Sequence, residues 1–451
     1  MFLISALNTK NRDEKQEKLR HAVTHYSCSA ALRAAILGCG HSPLWKGKMR
    51  SMIRNFCPVS FLCLSILAAN AGTHYLVPTN ASAANPYTDW GMAGTSVIDV
   101  VNAAMTNAST PRIVLVSNGV YLLTNAVTTI TNNVVIRSVN GRDTAVFDGN
   151  DLYRCFNLNH TSAVLDGLTI SNGFSGSLDG GGIYITKGTI TNCLVTDCVS
   201  TGGHGGGVII SPGPGTVANC TIRNNSVTNS RDAGGICASS LSTIMNSIIE
   251  YNVGVNYAGG IRMSGSTVKN CLIRYNRTGT ASSHYGGGVH LDGNTGALLA
   301  NCTIVSNQGG NGGGITFYSA GADPTNVVIN CIIVSNKSLA SASGNNIRRV
   351  SSSTASFTNA ISYSCSSSVN DPIYVTIAGR GNITNDPGFI NFQGENYRFN
   401  RTSPCFNSGT NQPDWMNGAV DLDGHRHILH GTADMGAYEL FIPSGAMYRF
   451  R

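Results

Sequence analysis

The chain has 451 residues, 52 of them glycine, and its 30 Lys and Arg against 23 Asp and Glu give a formal net charge of +7. All of this excess lies in residues 1–71, which hold 10 basic and 3 acidic side chains, whereas the rest of the chain carries 20 of each. Residues 72–451 therefore carry no net charge and no cluster of basic residues. This argues against nucleic acid as the partner and against strong electrostatic binding of polyanions.

The first 71 residues carry a targeting pattern. Residues 49–71 read as a secretory signal peptide, with a basic start, an apolar stretch and the cleavage site Ala69-Asn70-Ala71. The apolar stretch is too short to span a bilayer. Residues 1–48 are charged and not repetitive, and we interpret them as a start-site artefact or a disordered extension. We therefore expect an exported protein, secreted or at the cell surface, with no membrane span in the mature chain.

Residues 72–150 are expected to form an N-terminal cap and the first coils. A short helix is predicted from Ser96 to Ala104, because apolar residues recur there at helical spacing and Ser96 with Asp99 resembles a capping box. An amphipathic helix laid across the first coil would cover its apolar end.

Two phrases recur six times within residues 151–355, which we interpret as regular coils. The first is rich in glycine and ends at Gly182, Gly207, Gly235, Gly260, Gly288 and Gly314. The second lies at Asn192-Cys193, Asn219-Cys220, Asn246-Ser247, Asn270-Cys271, Asn301-Cys302 and Asn330-Cys331. Successive glycine phrases are 25, 28, 25, 28 and 26 residues apart. A period in this range is typical of a solenoid, in which each repeat stacks only on its neighbours.

The content of one repeat indicates strands rather than helices. No segment of the repeats sustains apolar residues at a spacing of 3.6, whereas β-branched residues, Gly and Asn abound. We predict an all-β fold, a right-handed single-stranded parallel β-helix with a short N-terminal capping helix. Stacking would place the cysteines of the second phrase in an inward column, with Ser247 filling the gap. A second column would contain Asn225, Asn252, Asn276, Asn307 and Asn336.

Ten of the 14 cysteines follow the signal peptide. The members of the inward column are expected to be free and buried, because a buried thiol behaves as a small hydrophobe. Cys365 and Cys405 lie outside the repeats, and a disulfide is predicted there before any within the column.

The coils resemble the right-handed β-helix repeat proteins of the pectin-lyase-like superfamily. Residues 356–442 resemble the C-terminal module called choice-of-anchor Q, and residues 443–451 are a tail. The matching stretches include Asp386-Pro387-Gly388-Phe389, Ser403-Pro404-Cys405, Asp421-Leu422-Asp423-Gly424 and Asp434-Met435-Gly436-Ala437-Tyr438-Glu439. Phe406-Asn407 departs from the family pattern of an aliphatic residue followed by Asp. The resemblance implies bacterial export, while the coils are also similar to those of adhesin-type β-helices.

Many β-helices with this resemblance act on acidic polysaccharides at the outer face of their sheets. A lyase needs a base at the C5 proton and a cation for the uronate charge. The outward position after the glycines reads Tyr184, Ile209, Cys237, Arg262, His290 and Thr316. We predict that Arg262, His290 and Asp292 are the catalytic candidates, and that Tyr257, His284 and Tyr285 form a wall for stacking sugars. Scattered polar residues on a solvated sheet face are the alternative.

The sequence does not predict a metal site, and calcium is the one cofactor that it leaves open. Cysteines about 26 residues apart in one buried column do not fit a tetrahedral zinc site. Asp421-Leu422-Asp423-Gly424 looks like half of a calcium loop, but His425 stands where a third acidic or Asn ligand belongs. The alternative is that these carboxylates cap a tight turn or pair with Arg426.

The function predicted from these features is a carbohydrate-interacting protein of the bacterial exterior, a monomer whose partner is a polysaccharide or cell-surface glycan. One alternative is an enzyme, either a polysaccharide lyase acting on acidic glycans or a glycoside hydrolase. The other is a purely structural or adhesive surface protein.

Overall fold

The structure is a computed structural model that describes residues 72–442, except 125–127, 230–231, 294, 319–325, 341–343, 351–360 and 367–380. The interpreted signal peptide at 49–71, the segment 1–48 and the tail 443–451 lie outside the described residues. None of the helices in the described part of the chain is long and apolar enough to cross a membrane.

Short strands make up most of the regular structure. The first sixteen are β1 (Thr73–Leu76), β2 (Arg112–Val116), β3 (Gly119–Leu122), β4 (Thr128–Ile130), β5 (Val134–Ser138), β6 (Ala145–Asp148), β7 (Phe156–Asp166), β8 (Thr169–Ser171), β9 (Ile183–Thr191), β10 (Leu194–Thr196), β11 (Val199–Ser200), β12 (Val208–Ile210), β13 (Gly215–Ala218), β14 (Thr221–Arg223), β15 (Ser226–Val227) and β16 (Ile236–Ala238). They are followed by β17 (Thr243–Met245), β18 (Ile248–Glu250), β19 (Ile261–Met263), β20 (Thr267–Lys269), β21 (Leu272–Arg274), β22 (Val289–Leu291), β23 (Leu298–Ala300), β24 (Thr303–Val305), β25 (Gln308–Gly309), β26 (Ile315–Tyr318), β27 (Val327–Ile329), β28 (Ile332–Val334), β29 (Lys337–Ser338), β30 (Ile347–Val350), β31 (Ile361–Ser362), β32 (Phe389–Asn391) and β33 (Asn396–Phe399). The helices are α1 (Val97–Thr106) and α2 (Pro413–Met416).

Successive coils stack their strands into three parallel ladders. The first ladder follows the glycine phrases and contains β4, β7, β9, β12, β16, β19, β22, β26 and β30. The second contains β1, β2, β5, β7, β9, β13, β17, β20, β23, β27 and β31, so that the long strands β7 and β9 belong to both. The third is a nine-stranded sheet of β3, β6, β8, β10, β14, β18, β21, β24 and β28. The chain is thus a parallel β-solenoid of about 8 turns, and the predicted all-β parallel β-helix is confirmed.

Equivalent residues of successive coils stack in register and form the core. In the first ladder Ile236 pairs with Ile261, which pairs with Val289 and then Ile315. All four side chains are fully buried. Burying one such side chain contributes about 1.5–3 kcal/mol. The core is therefore continuous along the axis rather than confined to one centre.

The chain turns between the ladders in two different ways. The Asn of each Asn-Cys phrase adopts a left-handed conformation, with φ between 47° and 55°, where the chain turns from the second ladder to the third. In each glycine phrase only the first residue has a positive φ. This residue is glycine in four coils, and in the other two it is Ala233 and Ala258. The later glycines are required by close approach, since a Cβ at Gly260 would lie 2.6 Å from the carbonyl oxygen of Gly288.

The predicted asparagine column is a continuous amide ladder. The Oδ1 atom of Asn252 accepts from the backbone N–H and from Nδ2 of Asn225, both at 3.0 Å. The same pattern links Asn252 to Asn276, Asn276 to Asn307, and Asn307 to Asn336. Asn346 takes the next place although it lies only ten residues beyond Asn336. The ladder supplies partners for buried backbone groups at this bend.

The cysteine column is also present. Its five members are buried, and Ser247 takes the missing place by accepting from the backbone N–H of Cys220 at 3.1 Å. All ten cysteines of the described residues are buried free thiols. The disulfide expected between Cys365 and Cys405 is therefore not formed in this structure.

Non-repetitive parts of the chain pack on the solenoid in two places. The predicted N-terminal helix is α1, with Ser96 as its N-cap and Val97, Val100, Val101 and Ala104 on its buried face. Near the other end, residues 382–442, here called the C-terminal segment, pack on the outer face of the third ladder. Tyr397 and Met435 of this segment share a buried cluster with Ile332. Arg274 of β21 forms ion pairs at 2.7 Å with Glu250 and with Glu395 of the segment.

Candidate functional site

The outer face of the first ladder carries the column anticipated from the sequence. Tyr184, Ile209, Cys237, Arg262, His290 and Thr316 are register neighbours in that order. The column continues to Arg348 of β30. Because these strands lie side by side at roughly 4.8 Å, side chains of three coils meet within a short distance.

A second column runs beside it and consists of the residue that precedes each glycine phrase. Its members are Asp179, His204, Asp232, Tyr257, Tyr285 and Asn311. Backbone hydrogen bonds keep the column in register, with Gly205 N–H donating to Asp232 and Ala233 N–H donating to Tyr257 at 3.0 and 2.7 Å. Ala258 N–H donates to Tyr285 at 2.9 Å in the same way. Along the axis, the residues of this column thus change from acidic and histidine side chains to tyrosines.

Arg262 forms the centre of what we call the arginine cluster, with His204, Asp232 and Asp292. Its Nη1 atom lies 2.5 Å from Asp232 Oδ2, and its Nη2 atom donates to Asp292 Oδ2. His204 Nδ1 lies 3.2 Å from the same oxygen of Asp232. Burial opposes the charged form of Arg262, but the two carboxylates outweigh it and raise the pKa of Arg262. The guanidinium is therefore already paired within the protein.

Three tyrosines of three successive coils surround His290 and form what we call the tyrosine face. The rings of Tyr257 and Tyr285 are stacked, with centroids 5.7 Å apart and planes 16° apart. Tyr318 lies 6.5 Å from each of them, and its side chain is exposed. Arg262 lies over the ring of Tyr257 at 5.9 Å, which joins the tyrosine face to the arginine cluster.

His290 is buried beneath the tyrosine face. Its ring lies 4.8 Å from that of Tyr257 and 6.0 Å from that of Tyr318, and only 1% of the residue is exposed. Among the described residues, its Nδ1 atom has no hydrogen-bond partner. Burial lowers the pKa of His290 to about 4, so the imidazole is neutral at pH 7. The alternative of polar residues on a solvated sheet face does not hold for His290, because the tyrosine rings cover it.

Replacing His290 with Phe should reduce the acid sensitivity of the fold. An unfolded His binds a proton below about pH 6.5, whereas folded His290 does so only below about pH 4. Between these values the unfolded state binds more protons, so the free energy of unfolding falls as the pH drops from 6.5 to 4. We expect the wild type to lose about 1–2 kcal/mol more than His290→Phe between pH 8 and pH 5, measured by urea unfolding. Equal losses would contradict the buried neutral state.

The structure brings most of the predicted site residues together. Arg262 and Asp292 belong to the arginine cluster, and Tyr257 and Tyr285 stack on each other beside His290. His284 does not join them, because its ring packs against Gly279, where a Cβ would lie 2.1 Å from His284 Nδ1. In the contacts of the described residues, His284 is outside the tyrosine face.

Sequence reasoning missed three members of the site. Asp232 and His204 occupy the same pre-glycine position as Tyr257, so aligning the repeats on that position would have identified both. Tyr318 lies two residues beyond Thr316, just as Asp292 lies two residues beyond His290. The period-2 alternation of a strand would have placed Tyr318 on the outer face.

The candidate calcium loop has a different role in the structure. Asp421 accepts from the backbone N–H groups of Asp423, His425 and Glu439 at 2.7–2.9 Å. Asp423 pairs with Arg398 through two hydrogen bonds, and not with Arg426. Ligand atoms of Asp421, Asp423 and His425 lie within 4.8 Å of one another, but the oxygens are already engaged. This geometry favours the turn-capping alternative over a calcium site.

Comparison with known proteins gives structural similarity only. No protein-family model matches the chain, and no curated protein matches it. Among solved structures, pectate lyase Pel9A is similar with a TM-score of 0.48 and 15% identity, over 81% of this chain and 96% of that one. A rhamnogalacturonan lyase is similar with a TM-score of 0.36 and 13% identity, over 72% of this chain and 91% of that one. At such values, substrate and chemistry have to be argued from the site itself.

Proposed function

We propose that the protein binds a carbohydrate chain on the tyrosine face and the adjoining arginine cluster. The observation that carries this proposal is the packing of Tyr257, Tyr285 and Tyr318 from three successive coils at 5.7–6.5 Å. Sugar rings present faces of C–H groups that stack on aromatic rings, while their hydroxyl groups bond to phenol and carboxylate oxygens. A row of rings on a rigid sheet offers such contacts along an extended sugar chain. No flexible loop has to become ordered on binding, so that entropy cost is avoided.

The charges of the site favour a sugar that carries no carboxylate. Arg262 is engaged by Asp232 and by Asp292, so a uronate would have to displace one of them. The paired charges contribute little attraction at long range, and salt screens what remains. We therefore expect binding that changes little with ionic strength. Export remains part of the proposal, on the strength of the signal-peptide pattern of residues 49–71.

One observation favours a polysaccharide lyase as a second candidate. His290 is neutral at pH 7 and lies beside Arg262 in the register of the first ladder, which is a combination that proton abstraction can use. The imidazole is nevertheless covered by the tyrosine rings, whereas a general base has to reach the proton that it removes. The geometry supports binding more directly than catalysis.

Alanine substitution of the tyrosines tests the proposal. The full chain is applied to immobilised neutral and acidic polysaccharides, and the affinity for the retained glycan is measured. We expect Tyr257→Ala and Tyr285→Ala each to weaken binding roughly 10–100-fold, as truncation of a central aromatic contact does. Tyr251→Ala is the matched control, because Tyr251 also stacks on another tyrosine, at 5.0 Å, but beside the third ladder.

The same panel separates the candidate functions. Retention that is lost equally in the Tyr251 control, or no retention on any glycan, would reject the tyrosine face as the binding site. Release of unsaturated uronate ends, followed by ultraviolet absorbance and abolished in Arg262→Ala, would establish the lyase instead.

A further inference from the structure

Two buried thiols meet where the C-terminal segment packs on the solenoid. Cys365 lies on the outer face of the third ladder, where it bridges Ile332 on one side and Ile383 on the other. Cys405 belongs to the C-terminal segment and shares a buried cluster with Cys365 and Tyr397. Neither cysteine is exposed, and Cys365 Sγ donates to the carbonyl oxygen of Asn385 of the C-terminal segment at 3.2 Å.

The thiols of the inward column are placed differently. They belong to equivalent positions of stacked coils, where side chains repeat at roughly 4.8 Å, and a disulfide needs Cβ atoms about 3.5–4.5 Å apart. Each also donates to the carbonyl two residues before it, as Cys220 does to Ala218 at 3.1 Å and Cys302 to Ala300 at 3.2 Å. Coil spacing therefore opposes cross-links within the column, whereas it does not constrain Cys365 and Cys405.

We propose that Cys365 and Cys405 are a specific oxidation site, whose disulfide fastens the C-terminal segment to the outer face of the third ladder. The two thiols lose two protons and two electrons as one S–S bond forms. A small-molecule disulfide such as oxidised glutathione accepts the electrons and is cleaved to two thiols by exchange through a mixed disulfide. The bond links the last described coil, which contains Cys365, to the C-terminal segment that packs on it, which contains Cys405.

Burial decides when this bond forms. Exchange requires a thiolate, and the neighbouring Cys365 thiol together with burial raises the pKa of the Cys405 thiol. The packed pair is therefore slow to react, in either direction. The disulfide forms as the segment docks during folding, and once formed it resists reduction until the segment opens.

Peptide mapping after refolding tests this inference. The full chain is unfolded and reduced, refolded in a mixture of reduced and oxidised glutathione, alkylated in denaturant and digested without reductant. We expect one cross-linked peptide pair joining Cys365 to Cys405, while the column cysteines are recovered alkylated. Cys302→Ser is the matched control, because Ser247 already occupies one place in the same column, and it should leave the cross-link intact.

A second measurement needs no variant and tests the structural consequence of the bond. In hydrogen exchange, wild type refolded with dithiothreitol should exchange faster in the C-terminal segment than oxidised wild type, while the central coils exchange equally in both. Absence of the Cys365–Cys405 peptide, or column cross-links in comparable yield, would overturn the inference. Equal exchange with and without reductant would overturn its structural consequence.

Discussion

Replacing Asn276 with Ala is expected to lower the free energy of unfolding by about 3–5 kcal/mol. The side chain is fully buried in the centre of the amide ladder. Its Nδ2 donates to the carbonyl of Ile249 at 2.8 Å, and its Oδ1 accepts from the backbone N–H of Asn252 at 3.0 Å. Alanine leaves both backbone groups buried without a partner, and each costs about 1–3 kcal/mol. The urea midpoint and the thermal midpoint should both fall.

An exposed amide provides the control for this substitution. Asn102 lies on the exposed side of α1, so Asn102→Ala should change stability by no more than about 0.5 kcal/mol. If Asn276→Ala were as mild, the amide ladder would not be a principal support of the coils.

The second large effect is expected at the arginine cluster. Replacing Asp232 with Ala should cost about 2–3 kcal/mol, because it removes a carboxylate that is 7% exposed and leaves a partly buried guanidinium with one partner. Asp292→Ala is the matched comparison on the same guanidinium. Asp292 is 26% exposed, so water replaces it more readily, and the loss should be about 1 kcal/mol.

Chemical unfolding of both variants measures the difference. Since Arg262 lies over Tyr257, the Asp232 variant should also bind glycan more weakly than the wild type. Equal losses of stability in the two variants would show that burial does not distinguish the two ion pairs.

The repeats carried most of the information about the fold. The spacing of Asn192, Asn219 and their equivalents predicted the solenoid, because one Asn per coil meets the left-handed bend between two ladders. The amide ladder and the cysteine column followed from the same period. The outward column through Arg262 and His290 was predicted in the correct order, because strand alternation and the repeat length fix it.

The environment of the site was harder to predict. The ion pair between Arg262 and Asp232 joins residues 30 positions apart. Aligning the repeats identifies both positions, but it does not show that the two side chains meet. The burial of His290 depends on the direction of three tyrosine rings, which alternation does not specify. Packing of the C-terminal segment on the third ladder is a contact between non-repetitive and repetitive parts, for which the period gives no information.

The amide ladder has a consequence for how the chain folds. Its hydrogen bonds along the column from Asn225 to Asn336 join residues 24 to 31 positions apart, at every coil. The entropy of closing a loop depends on its length, so each new coil meets nearly the same closure cost as the one before it. Folding can begin at any coil and advance one coil at a time, and adding coils would lengthen the process without requiring contacts between more distant residues.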